Sequence, residues 1–278
     1  MRTTLLKKIV IPLLLLMVVT TSFAESREIA LTIDDLPFVG ESKNFHLNMI
    51  IDAVTANDVP ATGFVIAGKI SPENWAMLRR FRDAGLGLGN HTLSHKNLNK
   101  VNTETYIHEI DEADKILLPV LTKPKYFRYP YLAMSKGDKK EEVLEFLQSK
   151  DYRIAPVTID SKDFIFNQLL LSVKEKERRA FLTVLKPCYL NYIWQQTLQA
   201  EEHNRQAHKP SQPQILLVHA NLLNAYVLPD IINLYKEKGF TFISLQGALK
   251  PVAKQATPKP KTMLSPIINT IDTFMAWD

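Results

Sequence analysis

Cysteine is nearly missing from this chain: Cys188 is the only one in 278 residues. No intramolecular disulfide can form, so the fold must hold by packing and perhaps by a bound ion. Charge of one sign is also scarce. The formal charge is +5, but Arg2, Lys7 and Lys8 stand in the first 24 residues, which hold no acid, and this leaves 5 − 3 = +2 for the remainder. A chain so close to neutral offers no broad basic face, and nucleic acid is not an expected partner. There is no long run of one residue type and no internal repeat. The one strongly apolar run, Ile9 to Val19, is too short to span a bilayer comfortably. It follows a basic start and precedes the small residues Ser22 and Ala24, the pattern of a secretory signal cut after Ala24. No cysteine follows it to carry a lipid. The expectation is an exported protein, periplasmic or secreted, with no stable membrane anchor after cleavage.

With 46% hydrophobic residues, the rest suffices for one large domain and is small for two. Short β-branched runs alternate with helical patterns, which predicts an α/β domain with a largely parallel sheet. Strands are expected at Glu28–Ile33, Ala61–Ile66, Leu86–Asn90, Lys125–Arg128, Arg153–Ile159, Ile215–His219 and Thr241–Leu245. Leu47, Ile50, Ile51 and Val54 recur at helical spacing. Further helices are expected at Asn74–Ala84 (Trp75, Leu78 and Phe81 on one side), Thr103–Leu118 (amphipathic, with Ile107, Ile110, Ala113 and Ile116 three residues apart), Glu141–Lys150 and Leu228–Gly239. A long, mostly helical segment spans Asn167 to His208, with Pro187 interrupting it. The domain is expected to cover 25–250, with an insertion at about 167–212. A tail, 251–278, begins as a Lys- and Pro-rich link and regains apolar residues from Ile267 to Trp277.

Five places could do chemistry, each where a predicted strand ends, the end at which barrel-like α/β folds build their sites. Asp34-Asp35 follows the first apolar strand, and burying two adjacent carboxylates requires a cation nearby. Taken alone, an Asp-Asp pair is more often a solvated turn. His91 and His95 are four apart, so one helical turn would bring both imidazoles to one face, a spacing that suits a divalent metal and zinc in particular. Two surface histidines at that spacing are equally ordinary. Arg128, in Phe127-Arg-Tyr-Pro-Tyr131, could pair with a carboxylate or close a plain turn. Asp160-Ser-Lys-Asp163-Phe164 and the strand ending in His219 persuade only in company. His46, His108, His203 and His208 receive no role.

In company they are recognisable. Ile33-Asp-Asp35, His91-Thr-Leu-Ser-His95, Arg128-Tyr-Pro-Tyr131, Asp163-Phe164 and Leu217-Val-His219 stand in the order of the five motifs of the NodB-type polysaccharide deacetylases, carbohydrate esterase family 4, and the chain resembles that family from about Glu28 to Leu249. The resemblance implies a distorted (β/α)₇ barrel. It implies that Asp35, His91 and His95 hold a divalent metal, most often Zn²⁺, which acidifies water and polarises an acetamide carbonyl. Asp34 would be the general base, paired with and oriented by Arg128, and the backbone N–H of Tyr131 would stabilise the oxyanion. His219 would be the general acid, its pKa raised by Asp163, while Leu217 and Phe164 would line the pocket for the acetyl methyl group. The substrate would be an N-acetylglucosamine polysaccharide such as peptidoglycan or a chitin-like glycan. Alternatives are O-deacetylation, as of acetylated xylan, and an inactive glycan-binding relative. Three features depart from the pattern: Leu36 where glycine is common, Phe164 in place of tryptophan, and a much longer stretch between Asp163 and His219.

Overall fold

The computed structural model describes residues 27–38, 43–209 and 212–250. The predicted signal segment and the tail after Lys250 lie outside the described residues. Among the described residues, eight strands form one sheet: β1 (Arg27–Leu36), β2 (Ala61–Val65), β3 (Gly87–Asn90), β4 (Lys125–Phe127), β5 (Tyr152–Ile154), β6 (Ile159–Asp160), β7 (Gln214–His219) and a short β8 (Phe240–Phe242). The order is β5-β4-β3-β2-β1-β7-β6, with β8 beside the start of β1. Every pairing is parallel. Helices connect them: α1 (Lys43–Thr55), α2 (Pro72–Asp83), α3 (Thr103–Leu117), α4 (Gly137–Ser149), α5 (Asp163–Ser172), α6 (Glu175–Gln206), α7 (Leu222–Glu237) and α8 (Leu245–Ala248). This is the α/β distorted barrel, left open between β5 and β6 at the two ends of the strand order.

The strands are buried on both faces, as parallel sheets require. On β1, Ile29, Leu31 and Ile33 face the helices and join Leu47, Ile50, Ile51 and Val54 of α1 in the main core. Each such fully buried aliphatic chain contributes about 1.5–3 kcal/mol. The other parity faces the barrel interior, where Ala30 packs with Phe64, Tyr126 and Ile215. A period of two then sends Thr32 and Asp34 inward on β1, and Leu217 and His219 on β7.

Several local expectations are corrected. Arg153–Ile159 is two strands, not one: β5 pairs with β4 and β6 with β7, so Ala155 to Thr158 carries the chain across the barrel's open side. Pro156, which has no N–H to give a ladder, sits in that break. The long helical segment divides at Val173–Lys174 rather than at Pro187, and α6 continues through the proline. Its buried residues Leu185, Tyr189, Ile193 and Thr197 recur every fourth position on both sides of Pro187, so packing holds the helix where local propensity would end it. On α3 the inward face is Tyr106, Glu109, Ile110, Ala113 and Leu117, while Ile116 is exposed. A spacing of three falls behind the 3.6-residue turn, and over nine residues it drifts by about half a turn. On α2, Asn74 and Met77 join Leu78 and Phe81 inside, and Trp75 is only partly buried. Thr241–Leu245 is strand only to Phe242, after which Ser244 caps α8 through the Gly247 N–H.

Leu36 is fully buried and occupies the space beside Gly63 on β2. A Cβ at position 63 would lie 2.1 Å from Leu36 Cδ1 and 3.3 Å from Phe81 Cζ. Gly63→Ala is therefore expected to destabilise the fold by about 1–3 kcal/mol, read as a lower denaturant midpoint. Adding Leu36→Ala should return part of the loss, and strict additivity of the two changes would contradict the contact.

Candidate active site

All five sequence motifs meet at the C-terminal mouth of the barrel, in a cavity of about 690 Å³ whose lining includes Asp34, Asp35, His91, His95, Tyr131, Phe164, Leu217 and His219. Adjacent strand residues normally point to opposite faces, yet both aspartates line this cavity. The backbone explains it: the β1–β2 register shifts between Ile33 and Leu36, and Asp35 has φ 66°. This irregularity turns the second carboxylate to the same side as the first.

The two histidines are brought together by a route other than the one expected. No helix forms over 91–97; instead Thr92 and His95 take φ 68° and 62° in a tight loop. The loop is tied down at several points. The Thr92 N–H donates to Asn90 Oδ1 (2.8 Å), and the His95 N–H to Thr92 Oγ1 (3.0 Å). Glu109, buried on α3, accepts from the Ser94 N–H (2.6 Å) and hydroxyl (2.9 Å). The His rings end 4.8 Å apart, centroid to centroid.

Asp35 Oδ1 lies 3.5 Å from His91 Nε2 and 3.3 Å from His95 Nε2, and this oxygen is buried without a hydrogen-bond partner. Two ligands of one tetrahedral zinc, each about 2.0–2.1 Å from it, are about 3.3 Å apart. The His91 Nδ1–H donates to the Arg128 carbonyl (2.8 Å), leaving Nε2 for a ligand bond. Burial, helped by the charge of His91, brings the His95 imidazole down to about 4, so it is neutral at neutral pH with a free lone pair. Burial acts to raise the Asp35 carboxyl, but the imidazoles of His91, His219 and His95 outweigh it and hold it well below the usual range. An orphaned carboxylate oxygen beside two imidazole nitrogens fits a divalent cation; these three residues could hold a metal ion.

Asp34 is 2% exposed and Arg128 1%. Arg128 Nη1 stands 3.4 Å from Asp34 Oδ2, while Nη2 donates to Thr32 Oγ1 (3.1 Å) and to the Pro156 carbonyl (3.3 Å). The guanidinium thus bridges the open side of the barrel, and its carbon sits 4.7 Å over the Phe64 ring. Across the cavity, His219 Nδ1 and Asp163 Oδ1 are 2.6 Å apart, and Asp163 is fully buried. Burial alone would lower the His219 pKa. The Asp163 charge and hydrogen bond, with Asp34 and Asp35 beyond, instead push it up to about 10. The Phe164 and His219 ring centroids are 6.4 Å apart, and Leu217 is buried below them. Tyr131 has φ 58°, and its exposed ring lies tilted against His95, with centroids 4.6 Å apart.

Other residues at the site had not been singled out. Asn167, Gln168 and Leu171 on α5 form one wall of the cavity, with Leu132 elsewhere on its lining. Asn221, at the N-cap of α7, and Asn224, three residues later, both donate to Asp163. An Asn-x-x-Asn immediately after His219 was a visible helix-start signal, and its link to Asp163 was not. Among the described residues, ten non-glycine positions have positive φ, and five of them (Asp35, His95, Tyr131, Leu132 and Lys162) line the cavity. Backbone strain is concentrated where side chains are aimed. Of the remaining histidines, His46 is buried among the rings of Phe38, Phe45 and Tyr226. No helix among the described residues is long and apolar enough to cross a membrane.

Residues 23–154 match the family model described as polysaccharide deacetylase. That stretch holds Asp34, Asp35, His91, His95 and Arg128, but not Asp163 or His219. A peptidoglycan-N-acetylglucosamine deacetylase of Bacillus cereus is 30% identical over 138 residues, 49% of this chain and 46% of that protein. The chain thus matches about half the length of that curated relative. Among solved structures, the chitin deacetylase of Colletotrichum lindemuthianum shares the fold with TM-score 0.56 and 22% identity, over 82% of this chain and 89% of that one. A carbohydrate esterase family 4 pseudoenzyme from Bacillus anthracis does so with TM-score 0.57 and 18% identity, over 81% and 66%. The matched stretch, the parallel barrel and the residues gathered at its mouth agree: over residues 23–154 the chain is similar to the polysaccharide deacetylases, and it shares their fold.

Proposed function

We propose that this protein is a metal-dependent hydrolase that removes N-acetyl groups from an N-acetylglucosamine polysaccharide, peptidoglycan or a chitin-like glycan, outside the cytoplasm. One observation carries the reading. Asp34, Asp35, His91, His95, Arg128 and His219, drawn from positions 34 to 219, converge at one barrel mouth. The fold alone would not suffice, because a pseudoenzyme shares it.

In this mechanism Asp35, His91 and His95 hold the cation, assigned as Zn²⁺ from its preference for imidazole and carboxylate. When bound, it acidifies water and polarises the acetamide carbonyl. Asp34 takes the proton of the attacking water, and Arg128 holds its carboxylate in place. The backbone N–H of Tyr131 donates to the oxyanion as it forms. His219, charged through its pairing with Asp163, delivers a proton to the departing amine, which leaves poorly without one. Because Nδ1 is committed to Asp163, Nε2 is the nitrogen that delivers it. Leu217 and Phe164 enclose the acetyl methyl, and Phe164 leaves that wall looser than a tryptophan would. The α5 wall shapes the groove for the polymer. Residues 1–24 act as the export signal and 25–250 as the catalytic domain.

The test compares substrates directly. A chain from Glu25 to Asp278, supplied with zinc, is expected to release free amine from N-acetylglucosamine oligomers and from peptidoglycan, faster than acetate from acetylated xylan. Acetate from xylan alone would move the assignment to O-deacetylation. No product from either, with metal bound, would favour a glycan-binding role.

A further inference from the structure

Asp163 is a fully buried carboxylate whose two oxygens are used unequally. Oδ2 accepts three hydrogen bonds: from the His219 N–H (2.6 Å), from Asn221 Nδ2 (3.0 Å) and from Asn224 Nδ2. Oδ1 has the His219 ring, at 2.6 Å from Nδ1. Saturating one oxygen with donors on three sides fixes the carboxylate plane and leaves the other oxygen for the imidazole. Asn224 is itself held. Its Nδ2 also donates to the His219 carbonyl (2.9 Å), and its Oδ1 accepts from the Tyr189 hydroxyl (3.0 Å).

We infer that Asn224 and Tyr189 are positioning residues for the general acid: Tyr189, on α6, locks the Asn224 amide, and Asn224 locks the carboxylate that orients His219. This rests on the assignment of His219 as the acid. Asn224 is completely buried, so an Oδ1 without a donor would be costly and would drive the amide to seek another arrangement. Turned over, it would aim an oxygen at the Asp163 carboxylate, acceptor against acceptor. The Tyr189 hydroxyl removes that incentive. Burial and the nearby Asp163 charge keep its pKa well above the ordinary value, so it remains a donor. The consequence for the fold is specific. Helix α6 has none of its residues on the cavity lining, yet it supports the proton donor through two side chains.

A nearby hydrogen bond supplies the control. Tyr235 on α7 and Thr197 on α6 join the same two helices with an O···O distance of 2.8 Å, and both are buried. Removal of either tyrosine hydroxyl should cost similar stability. The experiment compares Tyr189→Phe with Tyr235→Phe in the full, zinc-loaded chain labelled with ¹⁵N-histidine. The charged and titratable groups around His219 are Asp163, Asp34, Asp35 and His95, with Tyr189 behind Asp163; all are retained in the control. In Tyr189→Phe the downfield Nδ1–H resonance of His219 is expected to move upfield and exchange faster, and kcat to fall about 10- to 100-fold with KM unchanged. Asn224→Ala should do the same or more. Tyr235→Phe should leave the resonance and kcat as in the parent. The inference is overturned if Tyr189→Phe behaves like the control in both readouts. Should His219→Gln turn over as fast as the parent, the acid assignment falls instead. The resonance in Tyr189→Phe would still decide whether Tyr189 positions the ring.

Discussion

Replacing Asp34 by asparagine is expected to leave metal uptake intact and to slow turnover by about 10²- to 10⁴-fold. The geometry separates the two roles. Asp35 Oδ1 stands between both imidazole nitrogens, while Asp34 faces Arg128 from the neighbouring position. Asparagine fills the same volume and keeps an acceptor for Arg128. The loss of stability should therefore stay below the roughly 3–5 kcal/mol seen when one partner of a buried pair is removed outright. It cannot take a proton from water at neutral pH. Zinc titration, a melting curve and amine release on one preparation decide the matter. Parental turnover in Asp34→Asn would remove the base from the mechanism. Lost zinc binding would instead make Asp34 a ligand, and the division of labour between the adjacent aspartates would be wrong.

Stripping the metal is expected to bring amine release to background, and adding zinc back to restore it. The size of the effect follows from the chemistry at stake: a bound zinc lowers the pKa of water from about 15.7 to about 7, and nothing else at this mouth substitutes for that. His95→Ala should reproduce the loss by weakening zinc binding, because it leaves two protein ligands where a catalytic site uses three. Its fold should survive, since His95 is only partly buried and its loop is tied by Thr92 and by Ser94 to Glu109. The measurement is zinc affinity by competition with a chelator, alongside the rate. A chelated chain that still turned over at the parental rate would leave Asp35, His91 and His95 without their assigned purpose.

How much of this was legible beforehand can be judged from particular residues. The strand leading into Asp34 and Asp35 is readable from the short, mostly apolar run before them, while the Asp-Asp pair itself points to a site only in company with the other motifs. The ordering of the five motifs carries the resemblance to a family. The spacing of His91 and His95 was read correctly as a pairing but for the wrong reason. Four residues bring two rings together on a helix, and here they do so in a loop with two left-handed positions, Thr92 and His95, neither of them glycine. Propensity alone overestimates Pro187, because α6 runs through it with Leu185, Tyr189, Ile193 and Thr197 buried. Arg153–Ile159 reads as one strand from its β-branched residues although Pro156 interrupts it, and the sheet shows that its two halves belong to opposite edges.

The sequence by itself determined the alternation of strands and helices, the strand ends that carry reactive side chains, and the resemblance to a family. These depend on local periodicity and residue chemistry, which a linear chain displays directly. Tertiary structure alone decided which side chains meet. It set Arg128 against Asp34 and Thr32, aimed both adjacent aspartates into one cavity through a shifted register, and tied Asp163 to Asn221, Asn224 and, through Asn224, Tyr189. The hydrogen-bonded partners are 35 to 96 residues apart in the chain, and no local pattern records them. They are fixed by the closure of the barrel and the packing of helices on its rim, which are properties of the whole fold.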